Sequence, residues 1–192
     1  MRRYANYLFL IIILFSLAAC DEQYVPKPRG FFRIKLPEKS YKHFQPETCP
    51  FEFDIPVYAE VTKDSSQNAE PCFLNVDFNS FNATVYLSYK TVKGDLPKLI
   101  EDHRNMTMKH IPKASGINED LYNDAANKIY GSYYAVKGSA ASNVQFYLTD
   151  SISNFIRGSL YFNNVPQPDS IGPVLDFITS DVKHLVETFK WK

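Results

Sequence analysis

From Phe51 onward the apolar residues of this chain fall on every second position, and that rhythm allows little but strands. Phe51, Phe53 and Ile55 share one phase while Glu52 and Asp54 take the other, and successive side chains of a strand project to opposite faces. The pattern runs through residues 51–61, breaks in the polar, turn-rich stretch TKDSSQNAEP (62–71), and resumes over 72–79. Residues 83–92 then place Val85, Leu87 and Tyr89 on one side, with Thr84, Ser88 and Lys90 on the other. These runs predict an antiparallel meander with one buried face. Ahead of it, FFRIKL (31–36) reads as a first strand. Further strands are expected at 128–137, 143–149 and 154–163, separated by Asp150-Ser151 and closed by Asn163-Asn164.

Helices interrupt this pattern twice. Asp95 stands as an N-cap with Pro97 in the first turn, and Pro112 ends the helix near Ile111. A loop around Gly116 follows over 113–118, then a short helix over 119–126. The second long helix is capped by Ser170, with Pro173 in its first turn. Ile171, Leu175, Ile178, Val182, Leu185 and Phe189 recur along it at alternating steps of four and three, and Val174 and Phe177 widen the stripe. Asp176, Ser180, Asp181, Lys183 and Glu187 form its polar face. The stripe is too short for a coiled-coil seam and predicts a helix packed on its own sheet. The fold class is therefore α+β, a mostly antiparallel sheet packed with helices. Its element order resembles the Mog1/PsbP-like sandwich.

The N-terminus sets the compartment. Arg2 and Arg3 precede an apolar block, Leu8 to Phe15, which continues through Ser16 to Ala19. That block is short of the roughly 20 residues a membrane-spanning helix needs. A basic head, a short apolar middle and small residues describe a secretory signal. Leu17-Ala18-Ala19-Cys20 resembles the bacterial lipobox, in which the cysteine becomes the first mature residue and carries acyl chains. Two or more chains anchor stably, because each buried methylene contributes about 0.8 kcal/mol. The boundaries follow: a lipoprotein signal peptide over 1–19, a lipidated tether over 20–30 with Pro26 and Pro28 favouring extension, and one α+β domain over 31–192. Without Arg2 and Arg3, the 21 basic residues fall to 19 against 21 acidic ones. Nothing in that balance calls for nucleic acid. Export also exposes Cys49 and Cys72 to oxidation. Their shared phase with the apolar sides of the 51–61 and 72–79 runs predicts a disulfide, with two free buried thiols as the alternative.

Catalytic motifs are absent. The sequence has no Gly-rich phosphate loop, no G-x-S-x-G elbow, no H-E-x-x-H and no EF-hand loop. His103 and His110 stand seven residues apart on the first helix, about 10.5 Å at 1.5 Å per residue, too far to chelate one metal. His103 could work with Asp102 or Glu101, but adjacent helical positions face apart. A pocket near His103 is where an enzyme or small-ligand carrier would be sought. His43 and His184 are isolated in sequence. Asp21-Glu22 and Glu119-Asp120 read as solvated, although acid after the lipidated cysteine resembles surface-export signals of Bacteroidetes lipoproteins. Tyr130, Tyr133, Tyr134, Tyr147 and Tyr161 cluster on the later strands. They fit a core covered by a helix or an exposed face for a protein or glycan. Asp150-Ser151-Ile152 and Asp169-Ser170-Ile171 resemble short O-glycosylation sites, and a turn or cap explains each serine equally well.

Two groups of residues carry a further resemblance. The first is the lipobox with PKPRGFFRIKLP (26–37) and CPFEF (49–53). The second is FYLTDSISNFIRGSLYF (146–162) with the tail from Pro168 to Lys192, ending HLVETFKWK. Together they resemble the gliding-motility lipoprotein GldD family of Bacteroidetes, over nearly the whole mature chain. The resemblance implies an outer-membrane envelope lipoprotein needed for gliding, with no catalytic activity and no cofactor. Its implied partners are other gliding-motility lipoproteins and motor or type IX secretion components. It carries over no catalytic residue, so Cys20 is the functional position expected from sequence.

Overall fold

The alternating runs pair into two antiparallel sheets that share one core. The computed structural model describes residues 34–163 and 168–192; the expected signal peptide, tether and Cys20 lie outside the described residues. The smaller sheet joins β1 (Tyr41–Phe44), β2 (Phe51–Pro56) and the terminal β10 (Lys190–Trp191), with β2 central. The larger sheet holds β3 (Glu60–Lys63), β4 (Leu74–Phe78), β5 (Ala83–Thr91), β6 (Ala114–Asp124), β7 (Ile129–Gly138), β8 (Ser142–Thr149) and β9 (Asn154–Phe162). Its order is β3-β4-β5-β9-β8-β7-β6. The long register from Ala83↔Phe162 to Thr91↔Asn154 therefore joins two meanders into one surface.

Each face of that surface meets a helix. On one face Val85, Leu87, Phe146, Leu148 and Ile156 pack with Phe51 and Phe53 of β2 and with Ile178, Val182 and Leu185 of α2 (Pro168–Thr188). The stripe read from the sequence is thus the buried side of α2. On the other face α1 (Leu96–Met108) lies against β8 and β9. Architecture and class agree with the α+β sandwich expected from the element order.

Several boundaries differ. Residues 34–36 of the expected first strand carry no strand; pairing starts at Tyr41, against β2. The run over 51–61 divides into β2 and β3, with Ala59 N–H donating to Pro56 carbonyl in the turn between them. Residues 119–126, expected as a short helix, mostly continue β6, which pairs with β7 from Ala114 to Asp124. Asp95 does precede α1, but its carboxylate accepts from the backbone N–H of Lys93 at 2.8 Å and makes no cap bond. The second long helix begins at Pro168, which places Pro173 inside it rather than in its first turn. The capping side chain expected there, Ser170, lies outside the described ones.

One glycine lets a core ring lie directly on the neighbouring strand. Gly158 of β9 faces Phe146 of β8 in register, and a Cβ at Gly158 would sit 2.3 Å from two atoms of the Phe146 ring. Phe146 is itself buried in the core, so the ring cannot swing aside. Gly158→Ala is expected to cost about 1–3 kcal/mol by overpacking, read as a lower urea midpoint. An unchanged midpoint would mean that the core yields at this point.

Candidate functional site

A buried carboxylate on α2 gathers three side chains from distant parts of the chain. Asp181 is 1% exposed. Its Oδ1 accepts from Lys39 Nζ at 2.7 Å and from Tyr41 Oη at 2.9 Å, and its Oδ2 accepts from Tyr58 Oη at 2.6 Å. Lys39 also donates to the Phe177 carbonyl at 2.8 Å and to Ser180 Oγ, and its ammonium lies 4.3 Å from the Phe177 ring centroid. A buried charge needs such a shell, because desolvation must be offset by pairing and hydrogen bonds. Burial and the hydrogen bond to Asp181 together push the Tyr41 hydroxyl up to about 12 and hold Tyr58 higher still. The consequence is mechanical. The segment that leads into β1 is pinned to the C-terminal helix.

The two remaining cysteines join the sheets. Cys49 and Cys72 form a disulfide with their Cα atoms 5.6 Å apart. Cys49 is buried just before β2, as its phase suggests. Cys72 lies in the turn before β4 with φ of 67°, outside the strand that its phase predicts. Since β2 and β4 belong to different sheets, the bond staples one to the other. Closing a loop of this length is worth about 3 kcal/mol in the chain-entropy model.

Histidines that are isolated in sequence meet in space. His43 Nδ1 lies 3.0 Å from Asp54 Oδ1, and His184 Nε2 lies 3.6 Å from Asp54 Oδ2. Tyr41 stacks on His184 with ring centroids 3.7 Å apart. No group of three or more His, Cys, Asp or Glu among the described residues is arranged to hold a metal ion.

His103 takes a different position. It is 1% exposed, beneath Tyr134 and Tyr147, at ring-centroid distances of 5.7 and 5.5 Å. Glu101 and Asp102 are exposed, so neither neighbour pairs with it. Burial, and secondarily the charge of Arg157, lowers its pKa to about 4. Helix α1 covers this part of the tyrosine face. Tyr133 and Tyr134 are buried, and Tyr134 Oη donates to Glu119 Oε1 at 2.7 Å. Tyr130, Tyr147 and Tyr161 remain half-buried. Beside His103 a groove of about 340 Å³, lined by both polar and aromatic side chains, runs along α1. Glu119 and Asp120, expected as a solvated pair, lie on the edge strand β6. Asp150-Ser151-Ile152 is a closed turn, with Asp150 Oδ1 accepting the backbone N–H groups of Ile152, Ser153 and Asn154.

No helix among the described residues is long and apolar enough to cross a membrane. The fold is similar to the solution structure of cyanobacterial PsbP (CyanoP) from Synechocystis sp. PCC 6803. The TM-score is 0.51 at 9% identity, covering 92% of this chain and 99% of that one. At that identity the likeness extends to the fold alone. No curated protein matches the sequence. Residues 21–191 match the family described as gliding motility lipoprotein GldD, from the first residue after Cys20 to the last strand, and the chain belongs to that family.

Proposed function

We propose that this protein is a lipid-anchored component of the outer membrane that acts without catalysis, assembling or stabilising the gliding and type IX secretion machinery. The family match over residues 21–191 carries this reading. On it, the signal peptide ends at Ala19, Cys20 bears the acyl chains, and 21–30 is the tether. The partners are other gliding-motility lipoproteins and motor or secretion subunits; neither cofactor nor nucleic acid takes part. The Asp181 clamp supports the same reading. It ties the segment entering β1 to the C-terminal helix, so that a load applied at the N-terminal end of the domain is passed to its core.

The test is Cys20→Ser expressed from the native locus. Envelope fractionation should show the protein leaving the membrane fraction, and spreading on agar should fall to that of a deletion strain. Circular dichroism of the purified variant should keep the wild-type spectrum, since on this reading Cys20 precedes the domain over 31–192. Normal gliding by this variant would overturn the anchoring claim. Detergent extraction of the wild type should co-purify gliding or secretion subunits; recovery of the protein alone would overturn the assembly role.

A further inference from the structure

The groove beside His103 is lined by groups that are left without partners. Its floor contains His103 and Gln145, which are 1% and 2% exposed. Neither the Nε2 of His103 nor the amide nitrogen of Gln145 meets a hydrogen-bond partner among the described residues. Gln145 is held by its other end, its Oε1 accepting from Thr107 Oγ1 at 3.1 Å. A buried polar group with no partner costs about 1–3 kcal/mol, so a fold that keeps two in one groove invites a polar ligand there, with an acceptor for the Gln145 amide.

The walls add positive charge without its usual balance. Arg157 and Lys109 both line the groove, and no carboxylate pairs with either among the described residues. The contact made by the Arg157 guanidinium is with the Met106 thioether at 2.8 Å, a weak acceptor. The nearby carboxylate of Glu119 is already engaged by Tyr134. Ser88 and Ser159 place hydroxyls along the same wall. Tyr86 and Tyr161, ring centroids 5.8 Å apart and edge to face, line the groove as well, and Tyr86 is exposed.

We propose that this groove binds a phosphate ester. Arg157, Lys109 and the two serine hydroxyls supply charged and neutral donors around one point, which suits the tetrahedral oxygens of a phosphate ester. The volume of about 340 Å³ lies at the small end of ligand pockets. It accommodates a sugar-sized organic part against the tyrosines in addition to the phosphate. The phosphate source is either a soluble sugar phosphate or a phospholipid headgroup, and the two are separated by ester type.

The experiment is calorimetric titration of the full-length lipidated protein in a non-ionic polyoxyethylene detergent, with glucose 1-phosphate, glycerophosphoglycerol and glucose. Saturable binding of a phosphate ester and no binding of glucose are expected. Tighter binding of the monoester assigns a soluble sugar phosphate; tighter binding of the diester assigns a lipid headgroup. Arg157→Gln should weaken binding at least about tenfold, as loss of a charge-assisted hydrogen bond implies. Lys109→Gln, at the exposed end of α1, should weaken it in the same direction without touching the sheet. Lys98→Gln, exposed on α1 and outside the groove, should leave it unchanged. Failure of both esters to saturate, equal binding of glucose, or equal loss in Lys98→Gln would each overturn the proposal.

Discussion

Asp181→Ala is expected to lower the stability of the domain by about 3 kcal/mol, the lower end of what breaking a buried ion pair costs. Three donors would face the hole: the Lys39 ammonium and the hydroxyls of Tyr41 and Tyr58. The lower end applies because Lys39 is about one-third exposed and can turn to water, whereas Asp181 cannot. For a domain of this size the loss corresponds to roughly 6–12 °C in Tm. Asp181→Asn keeps the shape and one acceptor oxygen, and should fall between the wild type and alanine. A second readout isolates the mechanical role. With the clamp gone, the segment around Lys39 and Lys42 should become accessible to trypsin under native conditions, with β2 onward protected. An unchanged Tm together with unchanged cleavage would mean that the contacts to Asp181 contribute nothing net.

The clamp also shows what the sequence could and could not convey. Asp181 reads as part of the polar face of α2, and by helical spacing that is reasonable. Its burial depends on Tyr58, Tyr41 and Lys39, which lie 123 to 142 residues away. A weak signal was present: Asp181 stands three residues after Ile178 and four before Leu185, at the edge of the buried stripe. The meeting of His43 and His184 at Asp54 has the same origin, since it depends on β1 pairing with β2 and on α2 crossing above them. By contrast, α2 and strands β7 to β9 are legible because each buries one face continuously against the core, and burial imposes a period on apolar residues. Strand β6 is illegible for the converse reason. It lies at a sheet edge, most of its residues are exposed, and Leu121 is 81% exposed. Its conformation comes from backbone pairing with β7, which leaves little trace in side-chain pattern.

His103 makes the domain acid-sensitive in a defined window. In the folded state burial, with a smaller contribution from Arg157, holds its pKa near 4, against an ordinary value of 6.5. Between those values the unfolded chain binds a proton that the folded chain refuses, so stability falls as pH falls. At about 1.4 kcal/mol for each tenfold change in the proton equilibrium, about 3 kcal/mol is lost between pH 6.5 and 4. His103→Phe should remove that contribution. The ring fits the same place beneath Tyr134 and Tyr147, and no hydrogen bond is lost, because the imidazole Nε2 has no partner among the described residues. His110, whose pKa is also lowered by partial burial, keeps a slope of the same sign in the variant. Urea unfolding of both proteins at half-unit steps from pH 7 to 4 measures the difference. The two should diverge steadily below pH 6.5, with the variant more stable at pH 4. Parallel curves would mean that the imidazole takes up its proton in the folded state as readily as in the unfolded chain.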